Sequence, residues 1–173
     1  MATNDNRYSD RPRVTIRPVV NDTTVEAAVE PRLKLSDFLR REGWRSVRVG
    51  CEHGACGACS VLLDGELVKS CLLYAVQADG SSIETVEGLN SGGEAAELHP
   101  IQAAFDEADA LQCGFCTSGF MMATKALLED DPDPDRAAIE EGLRGNLCRC
   151  TGYQPIVRAV EASAERLDHG EAE

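Results

Sequence analysis

Basic residues are scarce in this chain: 17 lysines and arginines stand against 30 aspartates and glutamates, a formal charge of −13 over 173 residues. Such a field repels nucleic acids and anionic membrane surfaces, so neither is expected as a partner. Long apolar runs are also missing. No uninterrupted stretch approaches the roughly 18 residues of a spanning helix, and the start, Met1 to Arg13, is polar where a secretory signal would be apolar. These absences predict a cytoplasmic protein with no membrane span. There is no phosphate-cradling glycine fingerprint of the Walker or dinucleotide type either, so flavin and substrate sites would belong to other chains. No pattern assigns a catalytic acid or base. Cysteine, by contrast, is abundant, with eight residues. In a reducing compartment thiols stay reduced, which makes metal binding the first reading and four disulfides the weaker one.

The hydrophobic share, 43%, suffices for one ordinary core or two small ones helped by metal, and two are expected. From Val14 to Val29 the residues alternate about a turn at Asn21-Asp22, which predicts two antiparallel strands. Leu35, Phe38 and Leu39 then recur at helical spacing until Gly43, predicting a short amphipathic helix that covers the sheet. Val61-Leu62-Leu63 and Glu66-Leu67-Val68 flank Asp64-Gly65, a dipeptide suited to a tight hairpin, and Ser82 to Val86 reads as one last strand. Residues 88–98 offer little to bury and read as a linker. Beyond them the periodicity is helical. Stripes at Ile101, Ala104, Phe105 and Ala108, at Phe120, Ala123 and Leu127, at Ile139 and Leu143, and at Ile156, Val160 and Ala164 predict four helices. Pro132 and Pro134 stop the second, and Pro155 suits the first turn of the last. The expected organisation is α+β, with domains at 12–87 and 99–167 and flexible tails at 1–11 and 168–173.

Cys51, Cys56 and Cys59 are separated by four and two residues, and Cys71 follows twelve positions later, the spacing of plant-type 2Fe-2S ferredoxins. A cluster on four thiolates is anionic and needs backbone N–H groups turned toward its sulfurs, which requires a loop short of side chains. Gly50, Gly54 and Gly57, with Ala55 and Ala58, supply that room, and the hairpin returns the chain to bring up Cys71. A structural zinc also takes four thiolates, although zinc ribbons favour paired two-residue spacings. His53, inside the loop, reads as a solvent-facing residue rather than a ligand.

Cys113 and Cys116 are two residues apart, and 32 positions after Cys116 comes Cys148, with Cys150 just past Arg149. Spacing alone says four soft ligands. A helix beginning near Gly114 would aim its amides and dipole at an anionic centre. Arg149 either raises the potential of that centre or is an ordinary surface arginine.

Three motifs carry a resemblance: Gly50-Cys51-Glu52-His53-Gly54-Ala55-Cys56-Gly57-Ala58-Cys59, Gln112-Cys113-Gly114-Phe115-Cys116-Thr117, and Gly145-Asn146-Leu147-Cys148-Arg149-Cys150-Thr151-Gly152-Tyr153. Over roughly Val14 to Glu165 the chain resembles the small 2Fe-2S iron–sulfur subunit of xanthine dehydrogenase-family molybdenum hydroxylases. The resemblance implies a β-grasp, ferredoxin-like domain followed by a four-helix bundle, each holding one 2Fe-2S cluster. It implies a large molybdopterin-binding subunit and a medium FAD-binding subunit as partners, in a dimer of heterotrimers. Electrons would pass from molybdopterin through the Cys113/Cys116/Cys148/Cys150 cluster, then the Cys51/Cys56/Cys59/Cys71 cluster, to FAD. It also implies that the Gln112 side chain contacts the pterin. Ser118 and Ser60 depart from the family pattern, where proline and threonine are usual; neither position binds metal. Phe115, Leu147 and Tyr153 are candidate interface residues, or plain core. The competing readings are a free-standing two-cluster ferredoxin and a structural zinc module.

Overall fold

The structure, a computed structural model, describes residues 11–90 and 98–170. The positions between 90 and 98, most of the expected linker, lie outside the described residues, as do 1–10 and 171–173 of the expected tails.

Among the described residues the first half is built from seven short strands and one α-helix, with 3-10 turns at Ala75–Ala78 and Val86–Gly88: β1 (Val14–Ile16), β2 (Val19–Val20), β3 (Thr23–Thr24), β4 (Ala27–Val29), α1 (Leu35–Arg41), β5 (Ser60–Leu63), β6 (Glu66–Lys69) and β7 (Ser82–Glu84). β1 pairs only with β4, while the other strands form a five-stranded sheet in the order β3-β2-β7-β5-β6, with β2 and β7 parallel. The single hairpin expected between Val14 and Val29 is therefore split across two sheets. Pro18 explains the split: it has no N–H to continue the ladder, so the chain leaves one sheet after Ile16 and enters the other at Val19. The turn itself falls where expected, with Asn21 and Asp22 both at positive φ. Asp64 and Gly65 do the same for the β5–β6 hairpin, at φ 51° and 86°.

At seven residues α1 is too short to persist in isolation, and tertiary packing holds it. Leu35, Phe38 and Leu39 are buried, each burial contributing roughly 1.5–3 kcal/mol. They pack with Ile16, Val20, Val61 and Ile83 in one core. β5 then serves two cores at once. Its alternation sends Val61 into that first core and Leu62 into a second, made of Phe105, Phe120, Met122, Ile139, Ile156 and Val160.

The second core belongs to four helices, α2 (Pro100–Glu107), α3 (Thr117–Asp130), α4 (Arg136–Gly142) and α5 (Gln154–Gly170). α3 does not begin near Gly114 as the sequence suggested. Gly114 sits at φ 75°, which a right-handed helix cannot use, and Cys116 is the residue flanking the first turn at Thr117. α5 continues to Gly170, past Asp168 where a loose tail was expected, because Leu167 still packs on the helical core. Among the described residues no helix is long and apolar enough to cross a membrane.

Candidate metal centres

All eight cysteines are free thiols. In the first loop Glu52, Gly54 and Gly57 adopt positive φ, which turns successive amides inward. The Cys56 N–H points at Cys51 Sγ, 3.4 Å away. Donation from the His53 and Cys56 amides draws the Cys51 thiol down to about 6. Cys59 and Cys71 stand deeper: burial, then the neighbouring Cys59 thiol, pushes Cys71 up to about 11. The four sulfurs thus meet as two pairs, Cys51 with Cys56 and Cys59 with Cys71.

The second group is paired in the same way. Cys113 and Cys150 Sγ atoms are 3.6 Å apart, and Cys116 adjoins Cys148. Burial and the Cys148 thiol push Cys116 up to about 12. Cys148 moves the other way: burial would raise it, but donation from the Thr151 hydroxyl and amide outweighs this. Those donors lie 3.1 Å and 3.4 Å from Cys148 Sγ. Tyr153, at φ 69°, accepts the Cys148 N–H on its hydroxyl at 3.1 Å and sets its ring edge-on to Phe120.

Donor chemistry and cradle both suit thiolate-ligated iron–sulfur clusters. Among the described residues no three His, Cys, Asp or Glu side chains converge on a single point as one metal ion would require. Two pairs per group match instead the two irons of a binuclear cluster, each iron taking two thiolates. Thr117 Oγ1, beside Cys116, is buried without a hydrogen-bond partner among the described residues, which leaves its hydroxyl for a sulfur of a bound cluster.

The two loops touch. Leu147 N–H donates to Cys56 O at 2.9 Å, so the neighbour of one cysteine is bonded to the carbonyl of another in the opposite group. The approach depends on missing side chains: a Cβ on Gly57 would lie 2.5 Å from Gly145 O, and one on Gly119 would lie 2.1 Å from Gly57 O. Asn146 Nδ2 also donates to Gly57 O, at 3.3 Å.

Gln112 is exposed beside Cys113, and its side chain makes no hydrogen bond among the described residues. Phe115, Leu147 and Tyr153 are 42%, 52% and 37% exposed, so they are not plain core. Phe115 nevertheless does internal work, stacking under Arg48 and covering Gly50. His53 and Arg149 face solvent. The departure at Ser118 has a local use, since its hydroxyl donates to Ser46 O in the first half at 2.7 Å. Sequence reasoning missed Lys69, Asn146 and Thr151. Asn146 and Thr151 both stand in the third motif, whereas Lys69 carried no signal, because it acts through the fold.

The profile of the 2Fe-2S iron–sulfur cluster binding domain matches residues 19–82, and that of a second [2Fe-2S] binding domain matches residues 85–161. The 6-hydroxypseudooxynicotine dehydrogenase complex subunit beta of Paenarthrobacter nicotinovorans is 51% identical, over 92% of this chain and 98% of its own. The xanthine dehydrogenase iron–sulfur-binding subunit of Escherichia coli O157:H7 is 44% identical, over 85% of this chain and 92% of its own. Among solved structures, a chain of quinoline 2-oxidoreductase from Pseudomonas putida 86 superposes with a TM-score of 0.86 at 43% identity, covering 92% of this chain and 99% of that one. Paired thiols in two joined loops, two matched cluster-binding domains and full-length relatives agree: the chain belongs to the 2Fe-2S iron–sulfur subunits of the xanthine dehydrogenase family of molybdenum hydroxylases.

Proposed function

We propose that this chain is the electron wire of a multi-subunit molybdenum hydroxylase, taking electrons one at a time from a molybdopterin site and delivering them to FAD on another subunit. Cys113, Cys116, Cys148 and Cys150 would hold the station nearer molybdenum, and Cys51, Cys56, Cys59 and Cys71 the station nearer the flavin. The clusters supply reversible one-electron storage when bound. The protein's part is to hold the two stations together. The observation that carries this reading is the Leu147 N–H bond to Cys56 O, which links the sulfur of Cys56 to that of Cys148 through backbone and one hydrogen bond.

On this reading residues 12–87 form the β-grasp ferredoxin-like domain, 88–98 the linker and 99–167 the four-helix bundle. The partners are a large molybdopterin subunit and a medium FAD subunit in a dimer of heterotrimers in the cytoplasm. Among the described residues, six of the eight exposed large hydrophobics, Leu72, Tyr74, Leu111, Phe115, Leu147 and Tyr153, lie within three positions of a cysteine, as docking faces around two stations would. Gln112 is free to contact the pterin. The relatives named for 6-hydroxypseudooxynicotine and quinoline favour a nitrogen heterocycle as substrate of the complex.

The test is co-expression of the chain with its partner subunits. The isolated chain should be red-brown and bind about four iron and about four sulfide, two of each per cluster, yet be inert toward substrate. The complex should bring down chains bearing molybdenum and flavin. A colourless, zinc-loaded chain would end the redox reading, and a loaded chain that never associates would be a free-standing ferredoxin.

A further inference from the structure

Only three lysines occur in the chain, and their surroundings differ. Lys34 lies over the ring of Tyr74, 4.3 Å from its centroid, and Lys125 sits between Glu84 and Glu129. Lys69, half-buried on β6 two residues before Cys71, has no carboxylate within ion-pair distance among the described residues. Its ammonium donates to Ser60 Oγ at 2.8 Å and to Asn146 Oδ1 at 3.4 Å, both neutral groups. Withdrawing an ammonium from water without a counter-charge is costly, and such groups are ordinarily paired. Lys69 faces Ser60 across the β5–β6 ladder, beside Cys59; burial pulls its ammonium below the ordinary lysine value, and the four sulfurs of the first group act against that.

We propose that Lys69 is the fixed counter-cation of the first 2Fe-2S centre and that its charge holds the reduction potential of that centre up. The inference rests on the assignment of Cys51, Cys56, Cys59 and Cys71 as ligands. A cluster on four thiolates is anionic, and accepting an electron makes it more so. A cation held nearby stabilises the reduced form more than the oxidised one, which raises the potential. The transfer itself moves one electron from the second centre to the first, with no bond made or broken. Asn146 ties the ammonium to the second half, but Lys69 faces Ser60 next to Cys59 and stands two residues from Cys71, so the effect falls mainly on the first centre and draws the electron toward it. Lys69 is thus a tuning and positioning residue whose role is electrostatic.

Redox titration of the full chain with both centres loaded, followed by electron paramagnetic resonance, reads each potential separately. Lys69→Gln keeps an N–H donor for Ser60 and Asn146 but removes the charge, whereas Lys69→Arg keeps the charge. The expected result is a lower potential for the first centre in K69Q, a much smaller shift at the second, near wild-type values in K69R and equal iron in all three. Unchanged potentials in K69Q, or equal shifts at both centres, would overturn the proposal. Should K69Q lose the iron of the first centre, retention in K69R supports a charge role and loss in both variants refutes it. A wild-type chain without two 2Fe-2S signals would instead condemn the ligand assignment.

Discussion

In the first cysteine group Cys59 and Cys71 are buried and none of the four is fully open, whereas in the second Cys113 and Cys150 are exposed. The first loop turns backbone amides toward its sulfurs by way of Glu52, Gly54 and Gly57, and the second adds side chains to its amides, with the Thr151 hydroxyl on Cys148 Sγ and the Tyr153 hydroxyl on the Cys148 amide. The first centre is walled by its own half and by Phe115, Asn146 and Leu147 of the second, with Lys69 beside it. The second is left half-open, with Gln112, Phe115 and Leu147 uncovered at its rim. A half-open centre is what a surface completed by a partner would leave, since solvent exposure and net charge are among the quantities that set cluster potentials.

The largest expected effect on this contrast comes from Cys150→Ser. With Cys150 proposed as an exposed ligand, its replacement should empty the second centre while the first, whose four proposed ligands lie elsewhere in the chain, stays loaded. Iron per chain should fall to about half, and because metal binding is coupled to folding, the helical half should melt at a lower temperature. Iron analysis and thermal melts of the isolated chain read both quantities. Loss of both centres together would mean that the Leu147–Cys56 bond makes the two loops one cooperative unit, and the contrast between walled and open centres would collapse.

Much of this was legible in the residues. The cysteine spacing, the Asp64-Gly65 hairpin and the helical stripes needed only local rules, and each is found where the sequence put it. Two departures are also local in origin: Pro18 breaks the first hairpin, and Gly114, placed where a helix could start, takes a positive φ that forbids one. What could not be read is the seam. Gly57 looked like room for a cluster, and it is that, but it also lets Gly119 and Gly145 approach from sixty and more positions away. Asn146 and Lys69 meet only because β6 and the loop after α4 are folded together. No periodicity announces such a pair.

A smaller effect is expected at Gln112, whose exposed amide sits on the open side of the contrast. Gln112→Ala should leave iron content and melting temperature of the chain unchanged, because the side chain makes no hydrogen bond among the described residues. In the assembled complex it should slow substrate-driven reduction of the clusters. Rapid-mixing spectroscopy at the cluster absorption bands checks this, and wild-type rates would return Gln112 to an ordinary polar residue before a turn.

The smallest effect separates side-chain from backbone support. Thr151 donates its hydroxyl to Cys148 Sγ and its amide to the same sulfur, and Tyr153 N–H in turn donates to Thr151 Oγ1. Thr151→Val removes the hydroxyl while keeping the shape and the amide. A hydrogen bond to a ligand sulfur favours the more negative, reduced state, so the potential of the second centre should fall and that of the first should hold. Thr151→Ser, which keeps the hydroxyl, should restore it. The direction is opposite in consequence to Lys69→Gln: one variant lowers the donor station, the other the acceptor, so transfer between them becomes more downhill in the first case and less so in the second. If Thr151→Val moved neither potential, the amides alone would support both centres, and the difference between the two loops would lie in exposure rather than in hydrogen bonding.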